Sequence, residues 1–133
     1  MAAAWFKHLC DEEGIDYIDV DSAGLATRPR DAVSSKARAV LAEHDLLPLR
    51  LGSQLLTPKQ LFRADLIMTM TVAHQEALVS RHPSVANKCR PLLTVLGRRG
   101  DDVFDPYGGS LRNYRDCLDM MKPALAALLD RIR

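Results

Sequence analysis

The chain has 133 residues, a length suited to one core, and folded-surface scaling lets such a chain bury roughly two-thirds of its extended area. Apolar residues make up 47% and charged residues 26%, with a net charge of +1; this balance excludes a disordered or fibrous chain and, lacking a cationic excess, a nucleic-acid binder driven by charge. No apolar run approaches the roughly 20 residues of a bilayer span, which excludes a helical membrane protein.

The three cysteines, Cys10, Cys89 and Cys117, are odd in number and far apart. They read as reduced thiols rather than a disulfide framework. The first residues, Met-Ala-Ala-Ala-Trp-Phe-Lys-His, lack a basic segment followed by an apolar one, so no secretion signal is expected. The expected compartment is the cytoplasm.

Ala2, Trp5, Phe6, Leu9 and Cys10 recur at helical spacing and stop at Gly14, which predicts an amphipathic helix at the very start. Residues 15–20, Ile-Asp-Tyr-Ile-Asp-Val, alternate and predict a strand, closed by Ser22-Ala23-Gly24 and a polar loop containing Pro29. Ser34 or Ser35 caps a helix through Ala37, Val40 and Leu41 to about Asp45. Thr57-Pro58 opens a short helix to Arg63, since proline at the first helical position loses no needed N–H.

Leu66-Ile-Met-Thr-Met is the continuous apolar run of a parallel strand covered on both faces. A helix from Thr71 or Val72 to Arg81 follows and is broken at His82-Pro83. A strand or half-strand lies within residues 90–96. From Ser110 on, Leu118, Met121, Leu125, Leu128 and Ile132 form one helical stripe, in which Pro123 should kink or split the helix. No repeat or linker divides the chain. The pattern is a single α/β domain, a parallel sheet flanked by helices, in which ligands bind at the carboxyl ends of the strands.

That rule directs attention to Ser22–Gly24, to Thr71–His74 and to the loop Asp102-Val-Phe-Asp105-Pro106-Tyr107-Gly-Gly-Ser110. Asp-Pro followed by Gly-Gly is ordinary turn chemistry. The same residues also present a carboxylic acid on a rigid loop beside an aromatic ring, placed to give a proton to a leaving group. His8, His44, His74 and His82 form no metal-like pair and read as solvated; only His74 lies near the strand ends. A phosphate-binding thiolate would need an arginine six places on, but those positions hold Asp16, Val95 and Pro123. No nucleophile is assigned. Gly97-Arg98-Arg99-Gly100 is a basic turn that reads as a solvated loop tip.

Taken in order, Met1-Ala-Ala-Ala-Trp-Phe, Val20-Asp-Ser-Ala-Gly, Leu56-Thr-Pro, Ala64-Asp-Leu-Ile-Met-Thr-Met-Thr with His74, and Asp105-Pro-Tyr-Gly-Gly-Ser with Tyr114 resemble the low-molecular-weight protein tyrosine phosphatase family. The likeness spans the whole chain and is nearest the bacterial branch that includes protein arginine phosphatases. It implies that Asp105 is the general acid and base, that Tyr107 is a lip residue touching the substrate, and that Ser22 braces the catalytic loop. It implies no cofactor and no metal, and phosphorylated protein as the partner, with phosphotyrosine and phosphoarginine both open.

Members of that family begin with a strand and a Cys-x5-Arg loop followed by residues similar to Met1-Ala-Ala-Ala. The resemblance therefore implies that residues 1–133 are a domain truncated at its N-terminus, lacking the first strand and the phosphate loop, and inactive as written. The absent strand would lie between those near Tyr17 and Leu66, leaving unpaired edges that invite self-association. A non-catalytic pseudo-phosphatase that binds a partner and an arsenate reductase on the same fold remain as alternatives.

Overall fold

The computed structural model describes residues 1–25, 34–50, 52 and 54–133; the loop expected around Pro29 lies outside them. The elements in chain order are α1 (Ala2–Glu12), α2 (Ser35–Ala42), α3 (Pro58–Arg63), β1 (Ile67–Thr69), α4 (Val72–Arg81), β2 (Cys89–Pro91) and α5 (Leu111–Ile132), with 3₁₀ turns at Pro83–Val85 and Leu92–Leu96.

Helix α1 starts at the expected place and buries Ala4, Phe6 and Cys10. Its end shows why Gly14 stops it. Gly14 takes φ 68°, its N–H donates to the Asp11 carbonyl at 3.2 Å, and the Ile15 N–H donates to Cys10 at 2.9 Å. This is a complete Schellman ending, with Ile15 and Cys10 both buried against the core as its apolar clasp. Helix α2 is capped by Ser34 and ends at Ala42, short of Asp45, although hydrogen-bonded turns continue to Asp45. Thr57 and Gln60 close a capping box on α3, with Pro58 in its first turn.

β1 and β2 run parallel, with Ile67 opposite Cys89 and Thr69 opposite Pro91. β1 is shorter than its apolar run. Ile67 and Met68 are half-buried, and only Thr69 is fully covered. β2 gives way after Pro91 to the 3₁₀ turn at Leu92–Leu96, so the expected strand within 90–96 is only its beginning.

The strand expected at 15–20 does not form. Alternation holds only over residues 17–20, where Ile18 and Val20 are half-buried and Tyr17 and Asp19 exposed; Ile15 is buried on the parity of the exposed pair, and Asp16 and Tyr17 are exposed in succession. What is missing is a neighbour: among the described residues no strand pairs with this segment or with the second edge of β1. An extended chain without a ladder is not a sheet strand. The nearest parallel pairing is the isolated bridge between Gly24 and Leu55.

Most of the core lies where α5 meets α1, α2 and the Leu92–Leu96 turn, with Leu118, Leu125, Val40, Leu92 and Phe6 among its members. Lys122 on α5 also sits over the Trp5 ring of α1, its Nζ 4.6 Å from the centroid, in cation–π range. A smaller cluster of Leu61, Leu78, Val85 and Cys89 fills the space beneath α3 and α4.

Pro123 does not split α5, which runs unbroken from Leu111 to Ile132. The reason is its direction. Pro123 and Asp119, whose carbonyl it leaves without a helical donor, are both exposed, so water satisfies that carbonyl while the buried stripe continues on the other face. Replacing Pro123 with Ala restores the bond. A helix-interior proline costs ~3 kcal/mol, less the ~0.4–1 it gains by stiffening the unfolded chain, so Pro123→Ala is expected to stabilise the domain by about 2 kcal/mol in urea titration. An unchanged midpoint would show that the missing bond costs nothing here.

Candidate active site

The 102–110 loop is fastened at both ends. At its entry the Asp102 carboxylate accepts the Val72 N–H at 2.8 Å, and the Val103 N–H donates to the Met70 carbonyl at 2.8 Å, with the Val103 side chain buried. These contacts set the loop at the carboxyl end of β1. At its exit Ser110 caps α5 and Asn113 returns the bond to the Ser110 N–H at 2.9 Å.

Between those anchors each turn has a local cause. The Asp105 Oδ1 accepts the Tyr107 N–H at 3.0 Å, an Asx turn that fixes the carboxyl relative to its own backbone. The Gly109 N–H donates to the Pro106 carbonyl at 2.8 Å, and Gly108 takes φ 78°, the left-handed value a type II turn requires at its third residue. Gly109 has no room for a side chain: a Cβ there would lie 2.7 Å from Asn113 Oδ1 and 2.9 Å from the Pro106 oxygen.

Helices α2 and α5 brace the loop from the side. The Lys36 ammonium donates to the Gly109 carbonyl, and the Ser34 hydroxyl donates to the Tyr114 hydroxyl at 3.2 Å. Glu43 and Arg115 close a bidentate ion pair between the same helices at 2.6 to 3.0 Å. Asp105 and Tyr107 are left facing solvent, Tyr107 being 85% exposed.

Cys117 lies beneath this loop, its thiol donating to the Phe104 carbonyl at 3.4 Å. Burial pushes its pKa up; the Met1 ammonium pulls it down and the Asp105 carboxylate pushes it up. The first turn of α1 has no side-chain cap. Burial also raises the Cys10 and Cys89 thiols, so all three cysteines are poor sources of thiolate at neutral pH.

The other sequence candidates sit apart from this loop. Ser22 is held through its backbone: its N–H donates to Asp21 at 2.9 Å and its carbonyl accepts from Gln54 at 2.7 Å. Its described bonds do not reach 102–110. Asp21 in turn is gripped by Arg50 at 3.0 and 3.1 Å, which holds its carboxyl below the ordinary range. His74 is exposed, its backbone N–H donating to Thr71 at 3.0 Å. The basic turn is tied by Arg98 and Asp101 at 2.9 Å. Among the described residues no group of three or more His, Cys, Asp or Glu could hold a metal ion.

The domain thus pairs parallel strands β1 and β2 with a braced Asp-Pro-Tyr-Gly-Gly loop at the carboxyl end of β1. The chain belongs to the low molecular weight phosphotyrosine protein phosphatase family, whose model matches residues 1–133. It is similar to a protein-arginine-phosphatase of Bacillus subtilis, 29% identical over the whole chain and 87% of that protein. It is also similar to the low molecular weight protein-tyrosine-phosphatase PtpB of Staphylococcus haemolyticus, 33% identical over 77% of this chain and 71% of that one. Among solved structures, a YwlE mutant from Bacillus subtilis superposes with a TM-score of 0.91 at 29% identity, covering 98% of this chain and 87% of that one. The low molecular weight protein tyrosine phosphatase of T. tengcongensis gives 0.91 at 28% identity, with 98% and 88% covered.

Lys36 and Asn113 support the loop and escape sequence reading. Asn113 had a signal, since Ser110-x-x-Asn113 has the spacing of a capping box with a shorter amide. Lys36 had none, because 73 residues separate it from Gly109.

Two substitutions test this bracing. Gly109→Ala must displace the Asn113 amide, and losing the capping box should lower stability by about 1 kcal/mol in urea titration; an unchanged midpoint would mean the box yields freely. Arg115 holds Glu43 below its ordinary value of 4.5, so the pair's stabilisation is complete above that pH and disappears as pH falls through the lowered value. Glu43→Gln should therefore melt below the wild type at pH 7, and the two curves should converge as pH falls below the lowered carboxylate value.

Proposed function

We propose that this domain hydrolyses phosphorylated protein side chains, phosphotyrosine or phosphoarginine, through a phosphocysteine intermediate, with Asp105 as general acid and then base. The observation that carries the reading is the Asp105 loop itself, its carboxyl set by an Asx turn and left open to solvent. A thiolate attacks phosphorus and the bond to the leaving oxygen or nitrogen breaks as Asp105 gives that atom a proton. Asp105, now a carboxylate, then takes a proton from the water that attacks the phosphocysteine, and the P–S bond breaks to release phosphate and restore the thiolate. Tyr107, exposed two residues on, contacts the side chain that carries the phosphate.

None of the three cysteines has an arginine six places on, so the nucleophile and the phosphate-cradling arginine are assigned to a strand and loop outside these residues. Without them, residues 1–133 are expected to be inactive. The unladdered 15–20 segment and the unpaired edge of β1 support a missing strand between them. Ser22 is assigned to bracing that loop. The odd number and wide spacing of the three cysteines support a cytoplasmic setting.

The test joins an N-terminal strand and a Cys-x5-Arg loop to the chain and measures hydrolysis of an aryl phosphate. Turnover is expected, and Asp105→Asn is expected to reduce it by about 10²–10⁴-fold. A folded, extended chain that turns over no phosphate would overturn the reading in favour of a binding module. Arsenate reduction coupled to a thiol donor, without phosphatase turnover, would move it to the reductase alternative.

A further inference from the structure

Proton transfer by Asp105 needs its carboxyl held in one place, and turn chemistry within 105–109 fixes that carboxyl only relative to its own loop. Something must fix the loop relative to the sheet. Helix α4 begins at the carboxyl end of β1, and its first-turn N–H groups have no partners inside the helix. Thr71 accepts one of them, from His74, at 3.0 Å. The Val72 N–H goes instead to Asp102, 30 residues away in sequence and 2.8 Å away in space.

The next residue adds the reciprocal bond, Val103 N–H to the Met70 carbonyl at 2.8 Å. Adjacent residues of the loop thus grip both sides of the β1–α4 junction, one as acceptor and one as donor. The positive end of α4 attracts the Asp102 carboxylate in addition. Its neighbour Asp101 is engaged elsewhere, with Arg98 at 2.9 Å.

We propose that Asp102 is a positioning residue: its carboxylate staples the entry of the 102–110 loop to the first residue of α4 and so fixes where Asp105 stands. The functional part of this inference rests on Asp105 being the general acid. The staple itself does not.

The test begins with amide hydrogen exchange on the 133-residue chain and three variants. Asp102→Ala should speed exchange at Val72, Val103 and the 103–110 amides by roughly fivefold or more, the factor for a lost cap, with α5 unchanged. Asp102→Asn keeps an oxygen acceptor and should restore most of the protection. Thr71→Ala removes the local cap alone and should loosen α4 without loosening Val103. Unchanged exchange in Asp102→Ala, or equal loosening of 103–110 in Asp102→Ala and Thr71→Ala, would overturn the staple.

In the chain extended by its strand and Cys-x5-Arg loop, Asp102→Ala should slow phenyl phosphate hydrolysis more than 4-nitrophenyl phosphate hydrolysis, because the poorer leaving group depends more on the acid. Equal slowing of both would overturn the positioning role. An extended chain without any turnover would defeat the phosphatase reading, while the exchange data still decide the staple.

Discussion

The apolar stripe of α5, from Tyr114 through Leu118, Met121, Leu125 and Leu128 to Leu129, is the surface on which α1, α2 and the Leu92–Leu96 turn are laid. Each fully buried leucine on such a surface contributes about 2 kcal/mol, so no other element here gathers as much of the stabilisation. Two members of the stripe also reach the candidate site. Tyr114 accepts the Ser34 hydroxyl, and Cys117 donates to the carbonyl next to Asp105. The packing that folds the domain is the same packing that seats the acid loop.

That loop achieves rigidity without being buried. Its carboxyl and its tyrosine face water, yet its backbone is held by an Asx turn, a glycine at positive φ, a glycine with no space for a Cβ, and a lysine from another helix. Exposure lets a large substrate approach. Fixed backbone keeps the orienting cost out of the encounter.

Much of this was readable from local chemistry. The helix stop at Gly14, the Thr57-Pro58 start of α3, the start of α5 at Ser110 and the stripe of α5 are all short-range signals, and the structure places them where the residues indicate. Residues 15–20 differ for the complementary reason: a strand exists only through its neighbour, and without one the alternation holds no further than residues 17–20. Pro123 was misjudged because proline's cost depends on which way the orphaned carbonyl points. Asp102, Lys36 and the Glu43–Arg115 pair join segments 30, 73 and 72 residues apart, and no window along the chain contains both partners. Asp105 and Tyr107 were visible because their loop is contiguous.

The division of the core has a consequence for motion. Ile67 packs with the small cluster and Met68 with the large one, so β1 is a partition between two unequal cores. The smaller has four buried residues beneath α3 and α4, and such a unit opens at lower free energy than the whole molecule unfolds. The entry of the 102–110 loop is tied to the first residue of α4 through Asp102, on the weaker side, but Val103 beside it is buried in the larger core and bonded to Met70, and the exit is tied to α5 on that same stronger side. Partial opening of the smaller core would thus break the Asp102 contact while Val103 and α5 keep both ends of the loop on the larger core, so the loop outlasts the helix that its first residue caps.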